Sequence, residues 1–252
     1  MNLELLELQR RIQSRVPLPW LELNADVLAR HQASGEPLLR FESIPIELTD
    51  LRLMVRQTAD VLRRFGELET ADYELVQTLG RDTRLLEVAS QWFRRTAERT
   101  GPRASHSGEP ENAMLGQVLT LVMRPFLARC AEVLQQRPEL ASWAHAHCAL
   151  CGGEPDLAVI TPAAERHLIC SRCTLRWPFE SLTCPYCLNR DRAQITSFAT
   201  TDGQYRVYAC NVCRRYLKAF DGRHATRSVM PMVDSVATLP LDAAAIQRGY
   251  SG

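Results

Sequence analysis

The sequence predicts an α plus small-β fold, with a helical N-terminal domain followed by two small metal-binding domains. In the first half of the 252-residue chain, apolar residues recur at helical spacing. In the second half, short β-branched and aromatic runs alternate with turns, and eight of the nine cysteines lie there in four Cys-x-x-Cys pairs. We expect domains over residues 1–145, 146–182 and 183–252, the last with a helical tail.

Three amphipathic stretches support the helical prediction. Apolar side chains recur every three, four or seven positions over residues 47–65, and residues 82–99 repeat the pattern. Residues 5–16 carry an earlier apolar stripe. A longer apolar helix is expected over residues 113–136, and Pro125 should kink or break it near Met123. The polar, Gly/Pro-containing residues 100–112 should form a loop.

The four cysteine pairs predict two closed metal sites. They are Cys148 and Cys151, Cys170 and Cys173, Cys184 and Cys187, and Cys210 and Cys213. Two Cys-x-x-Cys loops that face each other supply four sulfur ligands in a tetrahedron. Because soft thiolates select zinc or rubredoxin-type iron over harder ions, we expect two metal ions per chain, iron or zinc.

The order of the loops along the chain leaves two pairings open. A short hairpin is predicted between the first and second loops, over residues 157–169, and another between the third and fourth, over residues 193–209. Each loop–hairpin–loop segment resembles a zinc-ribbon or rubredoxin-like unit. Consecutive pairing is the simplest topology, while a crossed pairing of first with third and second with fourth also fits the sequence.

Four further residues, two of them beside the first loop, have side chains that bind metals in other proteins. Cys130 lies far from the pairs, among apolar residues of the predicted helix, and we expect it to be a buried hydrophobic residue. His145 and His147 flank the first loop, but four cysteines already complete each site. We expect both histidines to be exposed or to lie just outside the ligand set. His31 is isolated, and we expect it on the surface.

Composition narrows the class of protein. A hydrophobic content of 46% and a charged content of 23% are those of a globular protein. No run approaches the roughly 18 apolar residues of a membrane span, and the opening MNLELLELQRR lacks a signal-peptide pattern. We expect a cytoplasmic protein without stable membrane insertion, in which reduced cysteines favour metal binding over disulfides.

The charge of the cysteine-containing region argues against nucleic acid as a partner. Residues 148–252 carry twelve Arg or Lys and nine Asp or Glu, a net charge of +3. Eight thiolates with two divalent ions change this to −1. The metal-loaded region is therefore nearly neutral, whereas nucleic-acid binding depends on positive charge.

The cysteine region resembles one known family. Residues 148–155 (CALCGGEP) are similar to the Cys-x-x-Cys-Gly-x-x-Pro opening of the formate dehydrogenase accessory proteins of the FdhE type. Residues 166–173 (RHLICSRC) with Trp177 resemble the second loop of that family, and residues 210–218 (CNVCRRYLK) resemble the fourth. The tail from Asp234 to Tyr250 resembles its closing helix, although Ser235 stands where a second aspartate is expected.

The resemblance implies a cytoplasmic, non-enzymatic helper in the maturation of respiratory formate dehydrogenase, whose partner is the catalytic subunit of that enzyme. It also implies a helical domain followed by rubredoxin-like domains. Arg172, Arg176 and Tyr250 are candidate contacts with the partner. Two other functions stay open: a redox-active rubredoxin-like iron protein, and a zinc-ribbon module that binds nucleic acid. The oligomeric state is unknown.

Overall fold

The computed structural model describes residues 1–21, 23–100, 113–135, 142–223 and 225–252, without the side chains of residues 96–100. The helices of the N-terminal part are α1 (Asn2–Gln13), α2 (Ala25–Ser34), α3 (Leu48–Arg64), α4 (Thr70–Leu79), α5 (Leu85–Thr100) and α6 (Ala113–Glu132). The helices α3, α5 and α6 correspond to the three longer predicted stretches, and α1 to the earlier stripe. The loop predicted over residues 100–112 lies outside the described residues beyond Thr100.

The helical part is built around α1, α3 and α6. Their apolar stripes face one another, and Ile12, Leu51, Met54, Phe126 and Leu127 are completely buried between them. This follows from apolar positions that recur at three and four residues, which place one face of each helix against its neighbours. No helix among the described residues is both long enough and apolar enough to cross a membrane.

The sequence predicts that Pro125 kinks or breaks helix α6 near Met123. The helix continues through Pro125 and is not broken there. Proline has no backbone N–H, so the carbonyl four residues earlier, that of Leu121, loses its helical hydrogen bond. The side chain of Gln9, which is buried on α1, donates to this carbonyl through Nε2 at 2.9 Å. A neighbouring helix thus satisfies the acceptor that the proline leaves unpaired.

The C-terminal part forms one six-stranded sheet. Its strands are β1 (Pro155–Ile160), β2 (Arg166–Cys170), β3 (Arg176–Pro178), β4 (Ile195–Ala199), β5 (Tyr205–Cys210) and β6 (Tyr216–Asp221). They lie in the order β3-β2-β1-β6-β5-β4. Each loop–hairpin–loop segment contributes two strands and is followed by a third, and a parallel pairing of β1 with β6 joins the two halves. The helical-plus-small-β fold is confirmed, whereas the domain bounds stay a prediction.

The two faces of the sheet are covered by different parts of the chain. Ala158 and Ile160 of β1 join the core of the helical part, whereas Leu157 and Val159 join a second core with the C-terminal tail. This alternation is the period-two pattern of a strand that is buried on both faces. The tail consists of α7 (Pro231–Ala237) and α8 (Leu239–Gln247), so the predicted closing helix is two helices.

Two aspartates fix the tail to the sheet. Asp234, which is fully buried on α7, accepts hydrogen bonds from Tyr205 of β5 at 2.7 Å and from Arg227 at 2.6 Å. Asp242 on α8 pairs with Lys218 of β6 at 2.7 Å. Because these carboxylates are paired, their burial does not carry the cost of an isolated buried charge. The single aspartate at position 234 therefore has a structural role here.

Replacing Gln9 with Leu should destabilise the protein by about 1–3 kcal/mol, because it leaves the part-buried carbonyl of Leu121 without a donor. Denaturant unfolding of the two proteins measures this cost. Gln13→Leu is the matched control, since the bond from Gln13 to Glu132 is exposed; it should change stability by less than about 0.5 kcal/mol.

A double-mutant cycle identifies the cause. In a Pro125→Ala background, residue 125 has an N–H that can bond to Leu121, so the additional cost of Gln9→Leu should shrink. An equal cost of Gln9→Leu in both backgrounds would show that the proline carbonyl is not the reason for the bond.

Candidate metal centres

All four Cys-x-x-Cys loops fold in the same way. In each loop, the residue after the second cysteine has a positive φ, and its N–H donates to the carbonyl of the first cysteine at 2.9–3.1 Å. These residues are Gly152, Thr174, Leu188 and Arg214, with φ angles of 69°, 60°, 59° and 60°. Only the first of them is the glycine that this conformation favours. The other three loops hold an L residue in a conformation that costs roughly 1–2 kcal/mol.

The first candidate centre joins the loops at the two ends of the β1–β2 hairpin. Cys148 and Cys173 bring their sulfurs to 3.5 Å, as do Cys151 and Cys170, and all four side chains are buried. The adjacent Gly153 is needed for close approach, since a Cβ there would lie 2.9 Å from the sulfur of Cys170. The motif Cys-Gly-Gly thus combines one glycine for a positive φ with one for space.

The helical part surrounds this first centre. The N–H groups of Leu38 and Leu39 donate to the carbonyls of Ala149 and Leu150 within the first loop, at 3.0 and 2.8 Å. From α6, Arg124 donates to the carbonyl of Ser171 in the second loop at 2.7 Å. The centre therefore belongs to the same core as the helices, although the sequence predicts a separate small domain around it.

Arg172 is buried in the second loop, so it cannot serve as the partner contact that the sequence suggests. Its guanidinium lies over the rings of Trp92 and Phe93, at 4.4 and 5.0 Å, and donates to the carbonyl of Cys151 at 3.2 Å. Cation–π contacts of this kind become stronger when the cation is removed from water. The sequence gives no signal for the burial of Arg172, because its aromatic partners are about eighty residues away along the chain.

The second candidate centre joins the loops around β4 and β5. The sulfurs of Cys184 and Cys213 are 3.6 Å apart, and those of Cys187 and Cys210 are 3.7 Å apart. The structure therefore shows the consecutive pairing of loops and not the crossed one. Cys184 and Cys210 are buried, Cys213 is half-buried and Cys187 is exposed.

One ion pair links the two centres. Arg215, two residues after Cys213, donates to both carboxylate oxygens of Glu154, three residues after Cys151, at 2.8 and 3.0 Å. The same guanidinium lies 3.7 Å from the ring centroid of Tyr186. A bidentate pair of this kind fixes geometry as well as adding stability. The loops of the two centres therefore hold a defined position relative to each other.

The donor set and the spacing fit zinc or iron. Metal–sulfur bonds of about 2.3 Å in a tetrahedron place neighbouring sulfurs about 3.8 Å apart. The closest sulfur pairs, at 3.5–3.7 Å, are near this value, and all ligand atoms of each group lie within 4.8 Å of one another. Each group of four cysteines can therefore hold one metal ion.

Burial makes a cation necessary for the thiolate form of these groups. It raises the pKa of Cys148, Cys173 and Cys184 well above the ordinary range of a thiol. Hydrogen bonds from the neighbouring thiols lower the pKa of Cys151. Complete deprotonation needs positive charge at the centre, and metal binding would release protons.

Cys130 and the histidines lie outside both groups. Cys130 is fully buried on α6, where burial raises the pKa of its thiol to about 12, so it remains protonated. His147 is buried, and its Nε2 lies 2.7 Å from the carbonyl of Gly35. His31 is also buried, contrary to the prediction, and stacks on Trp143 at 4.2 Å. The side chains of His31 and His147 thus attach α2 to the segment before the first loop.

The other predicted partner contacts lie near the surface. Arg176 is exposed, and it donates to the carbonyl of Val229 at 3.2 Å. Tyr250 is half-buried beside the second centre, where its hydroxyl donates to Asn211 at 2.6 Å and its ring lies under Arg214 at 4.4 Å. The C-terminal end of the described chain thus packs on the fourth loop.

The fold and the two centres define a helical protein with a paired zinc-ribbon region. No family model matches the chain. Over 107 residues it is 31% identical to a protein named as an FdhE homolog from Shewanella oneidensis, and 27% identical to one from Actinobacillus pleuropneumoniae. Each match covers 41% of this chain and 35% of the relative, so it spans about a third of those proteins.

A solved structure extends the likeness to nearly the whole chain. The crystal structure of the FdhE protein from Pseudomonas aeruginosa has the same fold, with a TM-score of 0.60 over 98% of this chain and 83% of that one, at 19% identity. The curated relatives bear the same family name. The predicted resemblance to the FdhE family is confirmed by these relatives and by the shared fold.

Replacing Gly153 with Ala should lower the metal content and stability of the first centre. The new Cβ would lie 2.9 Å from the Cys170 sulfur, so the loop would have to shift. Gly116→Ala on α6 is the control, because nothing lies within 4 Å of its Cβ position and alanine favours a helix by about 0.5–1 kcal/mol. Elemental analysis and thermal unfolding compare the two; equal metal content and melting temperature would contradict the steric argument.

Proposed function

We propose that the protein is a cytoplasmic accessory protein required for the maturation of a respiratory formate dehydrogenase. It binds the catalytic subunit of that enzyme through a scaffold that carries two tetracysteine metal sites. The ligands are Cys148, Cys151, Cys170 and Cys173 in the first site and Cys184, Cys187, Cys210 and Cys213 in the second. Each site holds one ion of iron or zinc.

The observation that carries this proposal is the coincidence of the FdhE fold with two complete sets of four sulfur donors. Either feature alone is less specific, because zinc-ribbon units occur in proteins of many functions. The fold supports the family's role, and the donor sets support resident metal ions. Together they favour an assembly protein over a general metal-binding module.

The coordination supports a non-enzymatic role. A metal held by four protein thiolates has no vacant position for a substrate, unlike catalytic zinc, which keeps one site open. The space beside the second centre, between Arg166, Tyr186 and Tyr208, measures about 10 Å³. That is about the volume that one water molecule requires, so this space beside the second centre is too small for a formate ion.

The aromatic residues of the ribbons favour a structural role over nucleic-acid binding. Trp177, Tyr205 and Tyr216 are buried in the sheet or beneath the tail, and thus cannot act as stacking platforms for bases. The near-neutral charge of the metal-loaded region agrees with this. A redox-active iron protein remains the alternative, and the exposed Cys187 of the second centre is the feature that favours it.

Protein purified without chelator should contain two metal ions per chain, and Cys148→Ser or Cys213→Ser should each remove one. The cysteine region should also become sensitive to protease when metal is removed, because metal binding is coupled to its folding. Cys130→Ser is the matched control and should keep both ions. One ion or none in the unmodified protein would contradict the two-site assignment.

The functional test uses a strain that lacks the gene. Respiratory formate dehydrogenase activity should be lost while the catalytic subunit is still synthesised, and the tagged wild-type protein should restore activity and recover that subunit in a pull-down. Full activity in the deletion strain, with nucleic acid in the pull-down, would instead support the zinc-ribbon module.

A further inference from the structure

The two tetracysteine groups share their loop geometry but differ in exposure. All four cysteines of the first group have at most 1% of their surface exposed. In the second group, Cys184 and Cys210 are 5% and 2% exposed, whereas Cys213 is half-buried and Cys187 is exposed. The difference therefore comes from the surroundings of the loops and not from the loops themselves.

The first group has protein on all sides. Both of its loops accept hydrogen bonds from the helical part, and the guanidinium of Arg172 lies over the rings of Trp92 and Phe93 and donates to the carbonyl of Cys151. Its cysteines belong to the main hydrophobic core. A thiolate could leave a metal at this site only if that core opened.

The second group has one closed and one open side. Cys184 and Cys210 lie toward the sheet, close to Tyr186 and Arg215. On the other side, Leu188 and Val212 at the loop tips are 60% and 58% exposed. None of the four cysteines of this group belongs to either hydrophobic core of the described chain.

We propose that the two groups have different functions: the first is a fixed structural site, and the second is an exchangeable metal site whose Cys187 can be replaced by a thiolate from outside. This rests on the proposal that both groups bind metal. In the exchange, the incoming thiolate takes the position of Cys187 on the ion, and the released thiolate takes a proton from water. The ion's charge does not change, and no oxidant or reductant is required.

The physical basis is the size of the structural opening that each cysteine needs. Local opening of an exposed loop costs much less free energy than opening of a core, which approaches the free energy of global unfolding. Cys187 can turn into solvent while Cys184 and Cys210 remain against the sheet. The ligands suited to such exchange are soft donors, such as the thiol of a small molecule or a cysteine of a client protein.

Thiol alkylation of the full zinc-loaded chain tests whether Cys187 opens to solvent more easily than the cysteines of the first group. The protein is treated with N-ethylmaleimide for increasing times, and the modified cysteines are identified by peptide mass spectrometry. Cys187 should react first and Cys213 next, at least about tenfold faster than the cysteines of the first group. Cys130 is an internal control, since it is buried, lies outside both groups and reports opening of the helical core.

Isotope exchange gives a second readout. When protein loaded with natural zinc is mixed with ⁶⁷Zn²⁺ and glutathione, native mass spectrometry should show one of the two ions replaced quickly and the other retained. Cys187→Ser should remove the rapidly exchanging ion without increasing alkylation of Cys130. Cys173→Ser should increase alkylation of Cys130, because the first site stabilises the core.

Three results would overturn the proposal. They are modification of Cys187 at the same rate as Cys130, equal replacement of both ions, and an equal increase in Cys130 alkylation in the two variants. These results would leave the two-site assignment intact. A protein that cannot be loaded with two ions would remove that assignment, and the exchange proposal with it.

Discussion

The arrangement of eight cysteines into two tight groups is the constraint on which the C-terminal half depends. Sulfur atoms 3.5–3.7 Å apart form weak hydrogen bonds as thiols and repel one another as thiolates. A bound cation would turn that repulsion into attraction and tie the loops at both ends of each hairpin. The strands between them are only five or six residues long. Short strands of this kind gain much of their stability from the tied ends, as in other small metal domains.

The two ribbon units are not structurally independent of each other. Parallel pairing of β1 with β6 makes their strands one sheet, and the ion pair of Glu154 with Arg215 connects the loop of one centre to the loop of the other. The helical part covers one face of this sheet and the tail covers the opposite face. Any change in the second group of cysteines is thus adjacent to elements that contact the first, which gives a physical route for influence between the two groups.

The local features were predictable from the sequence, and the long-range ones were not. Cysteine spacing identified both groups, and apolar periodicity identified α3 and α5. Strand β6 escaped prediction because Lys218 interrupts its apolar pattern, and the reason for that lysine is its partner Asp242 on a distant helix. The burial of His31 and Arg172 depends on aromatic rings far away in sequence. Pairing partners of this kind are set by tertiary structure, which a single sequence does not display.

The contrast between local and long-range features also explains why the two pairs of nearly identical Cys-x-x-Cys loops have different surroundings. A Cys-x-x-Cys loop encodes its own hydrogen bonds and its positive φ, and the four loops agree in both. Nothing in the loop encodes what covers it. The first pair of loops follows the helical part directly and is enclosed by it, whereas the second pair lies beside β4 at the edge of the sheet. Motif matching therefore identifies candidate ligands equally well in both pairs of loops, while the fold decides how accessible each group of four sulfurs is, and thus what chemistry is open to it.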